Sequence, residues 1–293
     1  MNTFFQQLIT GVSIGSIYAL LAVGYALVFS VFNFSNFGFG PTMMAGAFAA
    51  YYVILQLDLP LFVAILLGMV VAGIVSIIFE LMIYRPMRQK NALKVYLMIA
   101  GLGINIFVPN FMLQIVGGSV RGFPSDWARV TITIGDVNIS RADMLALALS
   151  ITLLVLLWLF LYKTRVGLGI RASSFDTRTA ALMGINVNVV AAAIFLLSGA
   201  TAGLAGCFYG MKYSAVYPAM GSVATKGFIA STVGGLGSLS GAVVSGLLLG
   251  FLETIIASYV STTYRDLFAY ALLVIVLIFM PNGIMGKRVH DKI

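Results

Sequence analysis

Between Phe4 and Met280 the chain returns repeatedly to apolar runs near twenty residues long, and no other feature restricts its folding so severely. A helix of that length spans a hydrocarbon core of roughly 30 Å. With 61% hydrophobic and 9% charged residues and a mean hydropathy of +1.05, the chain has too little polar surface to enclose its apolar side chains in water. The surrounding solvent is therefore lipid, where only helices and closed barrels satisfy their own backbone hydrogen bonds. Runs such as 145–161 are apolar on every face instead of alternating, which argues against a barrel, and the 31 glycines suit closely packed membrane helices. The expected fold class is all-α, a polytopic helical bundle of about eight to ten transmembrane helices, some short or broken, with 1–293 forming one transmembrane domain. Spans are expected at 4–32, 42–57, 59–84, 95–116, 143–162, 189–211, 224–235, 241–260 and 267–280.

A net charge of +8 raises the question of nucleic acid, but eleven of the seventeen basic residues fall in three groups that follow or separate apolar spans. These are Arg85, Arg88, Lys90 and Lys94; Lys163, Arg165, Arg171 and Arg178; and Lys287, Arg288 and Lys292. That arrangement is the positive-inside pattern of a membrane protein and argues against a nucleic-acid surface. Placing the groups in the cytoplasm puts the C-terminus there too, leaves 117–141 as an outer loop, and by counting puts the N-terminus outside. In that loop Val130-Thr131-Ile132-Thr133-Ile134 before Gly135-Asp136 reads as a small hairpin. No Lys or Arg precedes Arg85, so the first apolar segment lacks a signal peptide's basic flank and is expected to stay.

Two segments interrupt the helical pattern. One is Asn33-Phe34-Ser35-Asn36-Phe37-Gly38-Phe39-Gly40-Pro41, with Pro41 suited to the first turn of the next helix, and the other is Gly234-Gly235-Leu236-Gly237-Ser238-Leu239-Ser240-Gly241. Their separation of about 200 residues hints at an internal duplication. At membrane depth such breaks line a cavity, and helix N-termini exposed there favour anions such as a carboxylate. At the surface they are tight connections. Asn33, Ser35, Asn36, Gly40, Gly237, Ser238 and Ser240 are thus candidates for a translocation path, joined by Asn105 from the polar row Asn105, Asn110 and Gln114.

Glu80 and Glu253 stand within apolar spans, where a charge normally faces the bundle interior and has a partner. Glu80, five residues before Arg85, reads as an ion pair near the cytoplasmic end. Glu253 either receives a substrate ammonium, as a further path candidate, or bonds to a neighbouring helix. Cys207 and His290 are single and support neither a disulfide nor a metal site. Neither a phosphate-binding Gly-x-x-x-x-Gly-Lys-Ser/Thr motif nor a hydrolase signature occurs, so no cofactor is expected on this chain, no catalytic residue is assigned, and any driving energy comes from elsewhere.

The polar stretch at 163–188 is helix-compatible and long enough to fold and dock against a partner. Its Arg165-Val166-Gly167-Leu168-Gly169-Ile170-Arg171-Ala172 and Thr179-Ala180-Ala181-Leu182-Met183-Gly184-Ile185 resemble the cytoplasmic coupling loop of permeases of branched-chain amino-acid ABC importers. Tyr84-Arg85-Pro86-Met87-Arg88, the Gly-rich segment 226–242, and Pro281-Asn282-Gly283-Ile284-Met285-Gly286 resemble further signatures of that family, in order along nearly the whole chain. The length is similar to the LivH-type subunit. This resemblance implies a non-catalytic subunit in a bacterial inner membrane. It further implies a paralogous LivM-like permease, two cytoplasmic ATPase subunits that bind ATP, and a periplasmic substrate-binding protein. Arg165, Gly167, Gly169, Arg171, Asp176, Arg178 and Gly184 become the expected coupling residues, Gly167 and Gly169 permitting tight turns and Arg171, Asp176 and Arg178 offering polar contacts. The rival readings are a secondary transporter or channel, a membrane-embedded enzyme, and an ABC permease for another solute such as urea or a sugar.

Overall fold

A computed structural model describes residues 2–124, 131–134 and 137–286. The third basic group, His290, and Arg129, Asp126 and the Gly135-Asp136 turn lie outside the described residues. The chain folds as α1 (Asn2–Phe32), α2 (Phe39–Leu57) and α3 (Leu61–Phe79), which continues through a π-helical turn (Glu80–Tyr84) into α4 (Arg85–Gln89). There follow α5 (Lys94–Val116), the hairpin β1 (Thr131–Ile134) and β2 (Val137–Ser140), α6 (Arg141–Lys163), α7 (Arg165–Phe175), α8 (Thr177–Leu182) and α9 (Val187–Tyr213). A 3₁₀ segment (Pro218–Val223) then leads into α10 (Ala224–Gly234), followed by α11 (Leu239–Tyr259) and α12 (Arg265–Phe279). Ile134 pairs with Val137, so the hairpin closes around two residues, the length that matches strand twist most closely.

Among the described residues seven helices are long and apolar enough to cross a membrane. Of the expected spans, 42–57 and 224–235 are not among them: α2, nineteen residues long, is diluted by Pro41, Thr42, Tyr51, Tyr52 and Gln56, and α10, eleven residues long, reaches only about 16 Å. The most apolar window of α1 is 89% buried, whereas those of α5 and α12 are 11% and 6% buried. The first helix is thus the central post, and the last and fifth are peripheral.

Small residues set how closely the helices approach. Gly11, Gly15 and Ala19 on α1 recur at four-residue spacing and face Gly246 and Gly250 on α11. A Cβ on Gly15 would lie 2.8 Å from the Leu247 Cα, and one on Gly246 would lie 2.5 Å from the Ala19 Cα. In lipid there is no water to drive helices together, so this backbone-to-backbone packing is itself the adhesive. Gly246→Leu is therefore expected to destabilise the bundle by about 1–3 kcal/mol or more through forced separation of the helices. Thermal unfolding in detergent checks this, with Gly103→Leu as the control, since a Cβ at Gly103 meets nothing within 4 Å.

The two ends differ chemically. Arg88 stacks its guanidinium 4.5 Å over Phe32 at the end of α1, and Arg85 donates to the Asn188 carbonyl at the start of α9. With Lys163 ending α6 and α7–α8 following, one end of the bundle gathers both described basic groups. The opposite end carries the hairpin and a backbone bridge between Arg121 and Val216.

A polar break inside the bundle and a capped helix pair at its basic end

The first break turns back into the bundle. The Phe39 ring lies 4.7 Å from that of Tyr25, seven residues before the end of α1, so α2 starts about 10 Å inside. Asn36, 1% exposed, organises this turn: its Oδ1 accepts from the Gly38 N–H at 3.0 Å and from the Tyr84 hydroxyl at 2.6 Å. Backbone polar groups that would be orphaned at that depth are thereby paired. A Cβ on Gly40 would lie 2.5 Å from the Gly221 carbonyl oxygen and 2.9 Å from Asn105 Oδ1, so this contact between α2, α5 and the 3₁₀ segment has no room for a side chain. The fold thus brings together Asn36, Gly40 and Asn105, with Ser35 buried beside them, while Asn33 stays exposed at the basic end with φ +52°.

Gly237, Ser238 and Ser240 are not part of that cluster. A Cβ on Gly237 would sit 3.4 Å from the Ser30 Cα near the end of α1, which places the second break at the surface of the basic end. There Ser238 caps α11 by accepting from the Gly241 N–H at 3.2 Å, and its hydroxyl lies 3.5 Å from that of Ser240. The chain after α12 returns to close the same corner: Ile284 and Met285 donate to the carbonyls of Val233 and Gly234 at the end of α10. This requires Gly235 (φ +104°) and Gly283 (φ +76°), whose backbones touch, and it gives the segment 281–286 a structural reason.

Glu253 also lies apart from the break. It is 2% exposed and accepts from Lys226 on α10 at 2.6 Å, with the Arg265 guanidinium of α12 at 3.2 Å and Asp266 2.9 Å from Lys226. Three helices are tied by one carboxylate. Glu80, fully buried in the π-helical turn, accepts at Oε1 from Arg88 at 2.5 Å and from the Arg85 Nε–H at 3.2 Å, with an Arg85 terminal nitrogen 3.0 Å from Oε2. A third pair, Asp143 on α6 with Lys212 on α9, bonded also to Ser13 of α1, escaped the sequence reading. Its signal was two opposite charges near neighbouring span ends, 69 residues apart, which only the packing of α6 against α9 brings together.

At the basic end the segment 163–188 forms two helices, α7 and α8, joined through the single extended residue Asp176. Thr164 caps α7 by accepting from the Gly167 N–H, and Asp176 caps α8 by accepting from the Arg178 N–H at 2.8 Å and the Thr179 hydroxyl at 2.6 Å. Asp176 thus caps α8 while staying exposed at this end. Those two donors, the Thr179 hydroxyl first, hold its carboxyl below the usual carboxylate range. The cap is therefore fully effective above the unfolded carboxylate value of about 3.9 and is lost as pH falls through the lower folded value. Hydrogen-exchange protection of the α8 amides, corrected for intrinsic rates, is expected to drop below about pH 4 in this chain but not in Asp176→Asn, whose amide caps without titrating.

Gly167 and Gly169 lie inside α7 and do not make the tight turns expected of them. The Cβ position of Gly167 is occupied by the Phe160 and Leu161 carbonyls ending α6, and Gly169 has only ordinary contacts. Gly184 alone makes a turn: at φ +86° it ends α8, with Gly184 N–H bonded to Ala181 and Ile185 N–H to Ala180. Arg171 stacks 4.8 Å over Tyr162, bracing α7 to α6, while Arg165 and Arg178 are exposed. Phe175, Leu182 and Met183 are 88%, 88% and 80% exposed, an apolar tip on a charged end.

A family model described as the branched-chain amino acid transport system permease component matches residues 7–277. The chain belongs to this permease family. It is 34% identical to the high-affinity branched-chain amino acid transport system permease protein LivH of Escherichia coli (strain K12), covering 99% of this chain and 98% of that protein. To the corresponding protein BraD of Pseudomonas aeruginosa it is 32% identical, with the same coverage of both. Among solved structures, PsaBC from Streptococcus pneumoniae in complex with Fab matches at TM-score 0.49 and 16% identity over 94% of this chain and 91% of that one. As a permease component, this chain is a non-catalytic, multi-pass membrane subunit of a transport system.

Proposed function

We propose that this permease is the LivH-type half of an ATP-driven importer of leucine, isoleucine and valine in a bacterial inner membrane, with its basic end and C-terminus in the cytoplasm. The observation that carries this reading is the apolar tip Phe175, Leu182 and Met183, held outside the bundle by two capped helices. Apolar side chains so exposed on a charged, water-facing end suit a groove in a soluble partner, here an ATPase subunit. ATP binding in that partner moves the docked tip, and Arg171 on Tyr162 together with Gly167 on α6 passes the movement to the membrane helices.

The path itself lies against the second, LivM-like permease. The 11%-buried α5 turns Asn110 and Gln114 outward beside Gly103, Phe107 and Phe111, around a concavity of about 560 Å³. Amide side chains facing lipid are costly, so a paralogous subunit or an aqueous route is the better neighbour for that face. Asn105 on the same helix reaches Gly40 at the polar break, which opens the bundle where α2 starts. A substrate released by a periplasmic binding protein passes between the α5 faces, and ATP stays on the partner subunits.

A gradient-driven transporter needs a carboxylate free to take up its coupling ion, whereas Glu80, Asp143 and Glu253 are each held by basic residues. Leucine uptake into proteoliposomes tests both. The proposal requires uptake only with paralogous permease, ATPase, binding protein and ATP together; gradient-driven uptake by this chain alone sinks it. Uptake of ribose or urea in place of leucine by the same full assembly would keep the mechanism and replace the substrate.

A further inference from the structure

We propose that the cleft at the basic end is a binding site for a phosphate-bearing anion, which pins α8 to the helical bundle. This goes beyond the transport reading and does not rest on it. The cleft is a cavity of about 500 Å³ between the end of α1, the α4–α5 turn and the α8–α9 corner, within the size range of small-molecule sites. Its charged lining is Arg88, Lys94 and Arg178, and no carboxylate lines it. Asn33, Asn91 and Asn188 add amide groups around the same space.

Charge in this corner is left over. Glu80 is shared between Arg85 and Arg88, one anion against two cations, and Lys94 and Arg178 have no ion pair among the described residues. The sole carboxylate near Arg178 in sequence, Asp176, is committed to capping α8. Arg88 spends one terminal nitrogen on Glu80 and its face on Phe32, while its Nε is buried with no acceptor. Three cations around one cavity exceed what a single carboxylate balances, and guanidinium forks with amide donors match the several oxygens of a phosphate group.

The cations come from separate elements: Arg88 from α4, Lys94 from the start of α5 and Arg178 from α8. An anion among them cancels their mutual repulsion and bridges α8 to α4 and the start of α5. Two sources offer this chemistry. One is the headgroup of an acidic phospholipid, since basic pockets between membrane helices retain such headgroups. The other is a free phosphate species from solution.

The test uses the full-length chain in nanodiscs of phosphatidylcholine with phosphatidylglycerol, followed by native mass spectrometry of retained lipid, and in parallel thermal unfolding with added inorganic phosphate. Lys94→Gln with Arg178→Gln is the test variant, leaving Arg88 to Glu80; Lys94→Gln alone, at an exposed position, guards against misfolding of the pair. Lys90→Gln with Lys163→Gln removes the same charge outside the cavity. Retention of phosphatidylglycerol that falls about fivefold per cavity cation, and stays unchanged in the control pair, supports the site with lipid as its source. Stabilisation by inorganic phosphate that the cavity variants lose supports the free anion. Equal losses in the cavity and control pairs, or no response of the unmodified chain to either probe, overturns the proposal.

Discussion

Replacing Leu182 and Met183 together by glutamate abolishes ATP-driven uptake and leaves the chain in the membrane at its normal level. Both side chains are at least four-fifths exposed, at 88% and 80%, so the substitutions remove nothing from the core of this chain. Burying each in a partner groove is worth about 1.5–3 kcal/mol, so losing both weakens docking by roughly a hundredfold or more, before the cost of burying two carboxylates is added. Co-purification of the ATPase subunit with the variant, measured beside uptake and membrane level, checks the cause. Retention of ATPase and uptake at the unmodified rate would show that the tip docks nowhere. Gly184 acts on the same tip by another route: at φ +86° with open space around it, a side chain there has no clash, only the strain of a left-handed backbone, about 1–2 kcal/mol. Its effect on uptake should accordingly be the smaller.

Glu253→Ala is the second large effect, and it falls on stability. Its removal leaves Lys226 and Arg265 close together with their shared anion gone, and breaking such a buried pair costs about 3–5 kcal/mol. Asp266 remains beside Lys226 and is 70% exposed, which recovers part of the loss and places the expected figure at the lower end. Thermal unfolding in detergent measures it. Lys226→Met added to Glu253→Gln removes one cation with the anion and should regain part of the stability. A substrate-binding role makes the opposite forecast, in which Glu253→Ala unfolds at the unmodified temperature and loses uptake alone.

What the sequence determined by itself was the class of solvent and the order of the elements. Apolar run length and the lack of alternation leave only a helical membrane bundle, because a lipid-exposed backbone has no other way to pair its polar groups. The positions of the basic groups and the run 163–188 likewise follow from local composition, and ordered motifs along the chain carry the family. Tertiary structure decided the depth of the breaks and the partners of the buried charges, since these depend on residues distant along the chain. Both breaks read alike as glycine and small polar residues, yet Tyr25 and Tyr84 set the first about 10 Å inside while Ser30 and the segment 281–286 set the second at the surface. The partners of Glu253, Lys226 and Arg265, come to it from other helices. Gly167 looked like a turn and is a close approach to the end of α6. Local sequence specifies which segments become helices, whereas the depth of a break and the neutralisation of a buried charge depend on which helices come to lie beside them.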